Sequence, residues 1–389
     1  MKKYEKEYRQ EINKYLQCGE DTIFFYWKGR VALYALLKAM GVGAGDEVIV
    51  QGYTCVVVPN AILYLGATPI YADIDLDTYN MNLDSLKSRI TEKTKVIICQ
   101  NTYGLSSNLE KIEEIAKRAS EKYGHYVYTI EDCTHGFSGT YHGKPNGTKC
   151  DASFFSTQWN KPYTTGVGGF SVIHNEEIKQ KVIELEKEKI QPSKKETLEL
   201  RLMYFVRQYI INDFTYWPMI RLYRWLSKKN IVVGSSSGEE TSSIEMPKDF
   251  FKDQSSVQFK KGIKSIKNLD EINKIRKSNA EALTKFLKEN NKTYVKEELF
   301  DDHIFIRYPL LVKDRDKFKE EAEKASIILG EWFEQPIYPC YSDMSLWKVK
   351  EEEIPNGVYA SKYIVNALID TKKALGVKKF IKDNLSIVL

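Results

Sequence analysis

Six cysteines, at positions 18, 55, 99, 133, 150 and 340, are spread through 389 residues without a CxxC pair. With no signal-like leader after Met1-Lys2-Lys3-Tyr4, they exclude a disulfide scaffold and are expected to be reduced thiols in a cytoplasmic protein. The five histidines show no metal-ligand spacing. Asp73, Asp75 and Asp77 alternate, but they lack the glycine and the twelfth-position glutamate that an EF-hand loop requires, so no metal is expected. Excess charge is also missing: 58 basic residues stand against 53 acidic ones, a net +5. That balance argues weakly for an anionic substrate, and without a basic stripe no nucleic-acid partner is expected. There is no repeat of fixed period. Nor is there a long uncharged apolar run, since charges and Pro218 interrupt even the aromatic-rich stretch 200–229.

What is present centres on residues 153–169, SFFSTQWNKPYTTGVGG. The stretch reads as a short apolar strand, a polar turn with one lysine, and a glycine-rich bend into a second apolar run at 170–173. Lys161 is the one Lys or Arg between Lys149 and Lys179. An amine between two buried strands is desolvated, which lowers its pKa and makes it a nucleophile toward carbonyls. A surface lysine in a strand-turn-strand hairpin is the other reading of this stretch taken alone.

A second stretch tips the balance. Residues 126–132, YVYTIED, are an apolar run ending in two carboxylates, followed by the small polar turn Cys133-Thr134-His135-Gly136. An acid at the carboxyl end of a parallel strand lies where α/β folds bind ligands. Asp132 precedes Lys161 by 29 residues (161 minus 132). An aldehyde-binding lysine and an acid that keeps a ring nitrogen protonated are what pyridoxal phosphate requires. Cys133, beside Asp132, reads as a small buried hydrophobe rather than a nucleophile.

In chain order, a charged helix over 3–16 is followed by a helix over 30–40 that ends at Gly41. Strands are expected at 47–50, 69–72, 95–100 and 126–131, with helices at 54–65 and 109–123. Alternation of this kind predicts a mostly parallel sheet covered on both faces. Residues 176–200 read as one charged helix. The stretch 200–229 is crowded with Tyr204, Phe205, Tyr209, Phe214, Tyr216, Trp217, Tyr223 and Trp225 among Arg201, Arg207, Arg221 and Arg224. Two readings of it stay open: an insertion packed on the main domain or a twin subunit, which is preferred, or an amphipathic contact with an anionic membrane or a lipid- or nucleotide-linked sugar. GSSSGEETSS at 234–243 reads as a mobile loop or linker. Long helices over 255–287 lead to a smaller α+β unit with strands at 304–312 and 337–341, a helix at 314–329 and a surface-facing end over 361–384. The expected division is a large cofactor-binding domain over 1–245, which carries the 176–245 insertion, and connecting helices with a small domain over 246–389.

Blocks running from about residue 23 to 173, GAGDEVIVQGYTC, GATPIYADIDLDTYNMNLDSL, TKVIICQNTYG, IEDCTHGFSGTYHGK and SFFSTQWNKPYTTGVGG, resemble the DegT/StrS family of pyridoxal-phosphate-dependent sugar aminotransferases. A thinner match returns at Pro355-Asn356 and over 361–366. The resemblance implies the fold of the aspartate aminotransferase superfamily (fold type I), a homodimer, and pyridoxal phosphate. By that likeness Lys161 matches the lysine that binds the cofactor aldehyde, Asp132 the acid on the pyridine nitrogen, and Ser156 a phosphate-binding serine. His135 stands where many relatives have a glutamine near the ring's phenolic oxygen. Lys28-Gly29-Arg30 replaces the usual Ser-Gly-Thr at the phosphate-holding helix start, where Arg30 adds a charge-assisted contact. Cys55 replaces the usual stacking aromatic, which leaves Tyr53 as a substitute or the stacking absent. The Asn-x-Arg stretch that relatives extend toward a partner subunit has no equivalent near MPKDFFKD at 246–253.

The implied activity is transfer of an amino group, from glutamate, onto a nucleotide-linked keto-sugar for surface polysaccharide or glycoconjugate synthesis. Two alternatives are a sugar dehydratase on the same cofactor and a non-catalytic sensor or membrane-associated assembly factor. Relatives of the dehydratase kind replace the lysine with histidine, and this chain keeps Lys161.

Overall fold

The strand Thr94–Gln100 (TKVIICQ), buried along nearly its whole length, lies near the middle of the computed structural model, which describes residues 2–211, 215, 218–219, 222, 225, 239–370 and 374–389. In chain order the strands are β1 (Ile23–Tyr26), β2 (Glu47–Gln51), β3 (Thr54–Cys55), β4 (Thr68–Ala72), β5 (Thr94–Gln100), β6 (Tyr128–Asp132) and β7 (Thr140–Tyr141). They continue as β8 (Lys144–Pro145), β9 (Ala152–Ser156), β10 (Gly169–Ile173), β11 (Tyr308–Leu311), β12 (Leu329–Gly330), β13 (Ile337–Tyr338) and β14 (Ile364–Ala367). The helices are α1 (Lys2–Leu16), α2 (Gly29–Ala39), α3 (Val57–Leu63), α4 (Leu83–Arg89), α5 (Leu109–Tyr123) and α6 (Glu176–Leu185). After them come α7 (Lys194–Phe205), α8 (Ser256–Ile266), α9 (Leu269–Glu289), α10 (Arg315–Lys324), α11 (Pro355–Tyr363) and α12 (Ala374–Asp383).

Seven strands form the main sheet in the order β1-β10-β9-β6-β5-β2-β4. β4, β2, β5, β6 and β9 run parallel, and β10 is antiparallel to both β9 and β1. Strand alternation sends Val48, Val50, Val96, Ile98 and Ile130 into a core with α2 and α3. Ile49, Ile97 and Cys99 point the other way, into a core with α5. Burial on both faces explains why these strands read as near-continuous apolar runs. The α5 helix has the expected bounds because Asn108 caps its start, accepting from Lys111 N, and Gly124 takes φ 73° at its end.

The smaller unit has its own sheet, β11-β14-β12, and its own core of Leu283, Phe305, Tyr308, Phe318, Val365 and Phe380. The architecture is therefore α/β, a mostly parallel sheet between helices with a smaller α+β unit. The connecting helix α8 packs on α1, whose Tyr8, Ile12 and Leu16 are buried with Phe259 and Ile263.

Several elements differ from expectation. Thr54 and Cys55 are not helical but pair in parallel with Ile337 and Tyr338, so the helix over 54–65 shrinks to α3. The single helix over 176–200 is two, α6 and α7, because the chain turns at 186–188, forms a bridge from Ile190 to Lys252 and passes Pro192 before Ser193 caps α7. Residues 364–367 are the middle strand of the small sheet and fully buried, not a surface-facing end. In the expected linker, Glu239–Thr241 form a turn with Glu240 and Thr241 buried, while 234–238 lie outside the described residues. Phe214, Tyr216, Trp217, Arg221, Tyr223 and Arg224 also lie outside them. Asp73 is a helix cap, accepting from the N–H groups of Asn356 and Gly357 at the start of α11. Among the described residues no group of His, Cys, Asp or Glu could hold a metal ion, and no helix is long and apolar enough to cross a membrane.

Candidate active site

Lys161 sits in the connection between β9 and β10, which is a hydrogen-bonded continuation of the hairpin rather than a loose loop. Thr157 N donates to Gly168 O at 2.9 Å, Trp159 N to Gly166 O at 3.0 Å, and Thr165 N to Thr157 O at 2.7 Å. The turn is anchored to α1 by Tyr163, whose hydroxyl meets that of Tyr8 at 2.7 Å. Desolvation pulls the Lys161 amine down to about 8; Cys55 and Asp132 oppose the shift, while Arg307 and Arg30 add to it. Its Nζ stands 4.5 Å from the centroid of the Trp332 indole, which shields one side from water.

The two carboxylates that end β6 face opposite sides of the strand. Glu131 accepts from Asn101 Nδ2 and Gly147 N, both at 2.7 Å, so it is a fully engaged structural acid. Asp132 accepts from Thr134 N at 3.0 Å, and burial raises it to about 6 although Lys161 lowers it. His135 is buried, and desolvation holds its pKa well below the usual value, so the ring is neutral. Its Nδ1 accepts from Tyr103 N at 3.3 Å, which assigns the ring proton to Nε2 as a donor. The ring stacks on Trp332 with centroids 4.5 Å apart and planes at 16°. Cys133 is buried beside Phe137 and its thiol is raised well above the usual range, as a core residue would be.

At the start of α2, a methyl group on Gly29 would stand 2.9 Å from Ser156 Cβ and 3.0 Å from Phe155 O. Only glycine lets this helix start lie against the end of β9, and it brings Ser156 beside the helix N-terminus. Lys28 and Arg30 flank that point, and both meet Glu240: Arg30 Nη1 at 2.6 Å and Lys28 Nζ at 3.5 Å from its carboxylate. The Glu239–Thr241 turn is held there by Asn60, whose Nδ2 donates to Glu240 O at 2.7 Å, and by Tyr341 N donating to Thr241 O at 2.9 Å.

The sequence-predicted residues thus assemble as one cluster: Asp132, Cys55 and Arg30 act on the Lys161 amine, His135 feels Lys161, and Ser156 and Lys28 adjoin Gly29 at the start of α2. Tyr53 is different. It is fully buried in an aromatic cluster with Tyr79 and Phe333, its hydroxyl 2.7 Å from that of Tyr103. The ring beside the lysine belongs to Trp332, held by Asn366, whose Oδ1 accepts from Trp332 N at 2.8 Å and whose Nδ2 donates to Trp332 O at 2.6 Å. Trp332, Arg307 and Glu240 were not read from the sequence. The one available signal was Arg307 in FIRYPLLV, a lone charge inside an apolar run.

An amine near neutrality, a buried acid and an anion seat suit an anionic heterocycle that carries an aldehyde and a basic ring nitrogen, and pyridoxal phosphate is such a group. The seat carries a carboxylate of the chain itself.

Residues 2–207 match the DegT/DnrJ/EryC1/StrS aminotransferase family. The chain is 42% identical over 150 residues to a GDP-perosamine synthase of Escherichia coli O157:H7, a match covering 39% of the chain and 40% of that protein. It is 33% identical over 175 residues to an L-glutamine:scyllo-inosose aminotransferase of Streptomyces griseus, covering 45% of the chain and 39% of that protein. These matches therefore span less than half of either relative. Across 98% of the chain and 77% of the other, the fold follows that of NtdA from Bacillus subtilis, solved with bound cofactor PMP, at TM-score 0.70 and 18% identity.

Proposed function

The chain belongs to the DegT/DnrJ/EryC1/StrS aminotransferase family, and from that premise we propose that it is a pyridoxal-phosphate-dependent sugar aminotransferase. It moves an amino group from an amino donor, glutamate in this reading, onto the ketone of a nucleotide-linked keto-sugar used for surface polysaccharide or glycoconjugate synthesis. The names of the GDP-perosamine synthase and the inosose aminotransferase support an acceptor of this kind. The observation that carries the reading is the pairing of Lys161, drawn down to about 8, with the buried Asp132 at the carboxyl end of β6.

When bound, pyridoxal phosphate supplies an aldehyde for the amine and a ring that withdraws electrons from the adjacent carbon. Lys161 would be the residue that binds it, and its amine would take the proton from the donor's alpha carbon and, in the reverse half, return a proton to the sugar carbon that receives nitrogen. A lysine near 8 is suited to both directions at neutral pH. Asp132 would keep a proton on the ring nitrogen, and His135, with its proton on Nε2, would be the donor for the ring's phenolic oxygen. Ser156, Gly29, Lys28 and Arg30 would hold the phosphate, Cys55 is desolvated within reach of the charges of Arg30, Lys161 and Asp132, and Tyr53 acts through Tyr103 and the backbone of Phe333, whose N–H donates to its hydroxyl. Trp332 excludes water from the amine.

Three further parts of the reading are a homodimer, a cytoplasmic location, supported by six free cysteines, and a division near residue 245 with α8 packing back on α1. A second reading, a cofactor or sugar-nucleotide binder without turnover, is favoured by one observation, the Glu240 carboxylate on the cations of the anion seat. One experiment separates them. Protein loaded with pyridoxal phosphate and reduced with borohydride should carry the added mass on Lys161, and glutamate or glutamine should convert the absorbance of unreduced protein to that of the amine form. A binder keeps its absorbance unchanged, and an adduct elsewhere than Lys161 overturns both readings.

A further inference from the structure

We propose that Tyr103 and Asn366 are positioning residues for the reaction at Lys161: together they clasp the backbone of Trp332 and so hold its indole beside the amine. Tyr103 lies in the turn that follows β5, in the large unit, and Asn366 in β14, in the smaller one. Both are buried. Trp332, between β12 and β13, offers one backbone carbonyl, and both residues donate to it, the Tyr103 hydroxyl at 2.5 Å and Asn366 Nδ2 at 2.6 Å. Asn366 Oδ1 also accepts from Trp332 N at 2.8 Å. With both main-chain groups of Trp332 engaged, one unit bearing on it from each side, the indole is kept at 4.5 Å from Lys161 Nζ.

A count of protons gives the direction of the network. The Tyr103 hydroxyl has one proton, which goes to Trp332 O, so in its 2.7 Å contact with the Tyr53 hydroxyl it accepts. Tyr53 in turn accepts from Phe333 N at 3.3 Å. Each hydroxyl and amide of this buried set thus has a partner, the condition under which such a network holds a group in one place. The backbone of Tyr103 points the same way. It takes φ 55°, a left-handed shape that costs an aromatic residue more than it costs glycine and persists where the surroundings over-determine it. Here its N–H donates to His135 Nδ1 at 3.3 Å, and its carbonyl accepts from Ile306 N at 3.0 Å. One residue therefore fixes both members of the stacked pair next to the lysine, His135 by main chain and Trp332 by side chain.

The inference rests on the reading of Lys161 as the reactive amine, and its test titrates that amine without pyridoxal phosphate. The full chain is pulsed with acetic anhydride between pH 6 and 10.5, and acetylation of Lys161 is followed by mass spectrometry. Asp132, Cys55, Arg30 and Arg307, which act on the amine by charge, stay in place throughout. Tyr103→Phe removes one hydroxyl and keeps the ring and the N–H bond to His135. It should raise the midpoint from near 8 by about half a pH unit, a threefold fall in neutral amine below the midpoint. Asn366→Ala, which takes away the other half of the clasp, should raise it at least as far. Neither change should add to that of Trp332→Ala, because no indole is then left to position. Tyr71→Phe is the control: it deletes a buried hydroxyl that donates to Trp347 O at 2.9 Å on the edge strand β4, and should lower Tm while leaving the midpoint in place. The proposal is overturned if Tyr103→Phe and Asn366→Ala titrate as the wild type does, or if they shift the midpoint as much when Trp332 is already replaced. It also falls if wild-type Lys161 titrates near 10.5, since no shielding is then maintained, although borohydride could still map the cofactor to that residue.

Discussion

The carboxylate of Glu240 lies 2.6 Å from the guanidinium of Arg30 and 3.5 Å from the ammonium of Lys28, at the first turn of α2. Two cations and a helix N-terminus make a seat for an anion, and here the chain fills it with its own side chain. A phosphate entering the same seat meets a like charge. Glu240→Gln keeps the shape and removes the repulsion, so it should tighten binding of pyridoxal phosphate and of inorganic phosphate by about tenfold, the equivalent of ~1.4 kcal/mol. Arg30→Gln should weaken both. Absorbance and fluorescence titrations measure the change, and weaker binding in Glu240→Gln would mean that the carboxylate supports the seat instead of contesting it.

Lys161, drawn down to about 8 by desolvation, is about one quarter neutral at pH 7.5, against about one part in a thousand for a lysine at its ordinary value. Its reaction with pyridoxal phosphate should therefore rise through a midpoint near pH 8 and level off above pH 9. Stopped-flow absorbance across pH 6–10.5 measures this. A rate still climbing at pH 10 would show an ordinary lysine, and Lys161→Ala should leave no reducible adduct.

Much of this site was legible because its parts are local. The hairpin around Lys161 and the strand ending in Asp132 carry their own apolar runs and turn chemistry, and α5 carries its own caps at Asn108 and Gly124. What escaped is long-range. β3 is two residues long and exists because Ile337 and Tyr338 lie beside it, 283 positions later (337 minus 54). The stretch at 364–367 becomes a middle strand because β11 and β12 flank it, which nothing in its own pattern states. Trp332 and Glu240 enter the site from units whose local sequence looks like surface, and Tyr53 is held by partners at 79, 103 and 333.

Asp132 is raised to about 6 by burial, above the ~3.9 of an unfolded aspartate. Between about pH 4 and 6 the folded cofactor-free chain holds a proton that the unfolded chain has released, so stability falls as pH rises through that window and stays lower above it. Asp132→Asn has no such proton. It should raise the stability of the cofactor-free chain at pH 7.5 by about 1–3 kcal/mol and flatten the dependence of Tm on pH between 4 and 6. The same change should cost at least about a hundredfold in turnover, because an amide cannot hold a proton on the ring nitrogen as a carboxylate does. Calorimetry and steady-state assays read the two effects separately, and a loss of stability at pH 7.5 would show that Asp132 is a structural partner in the empty chain.

Trp332 joins the two units at the site, with His135 4.5 Å from its ring, Lys161 Nζ 4.5 Å and the Arg307 guanidinium 5.0 Å away. Desolvation is the leading cause of the lowered lysine, so the indole that shields it should govern the pH at which it reacts. In Trp332→Ala water reaches the amine, and the midpoint of adduct formation should move up by about one pH unit toward the ordinary lysine value. Trp332→Phe keeps a ring over the amine and should move it by less than half as much. Truncation also costs about 1–3 kcal/mol of stability for a part-buried aromatic, but lost stability alone changes Tm and leaves the midpoint in place. A midpoint that stays near pH 8 in Trp332→Ala would assign the shift to Arg30 and Arg307, and Arg307→Gln would then be the variant that lifts the lysine.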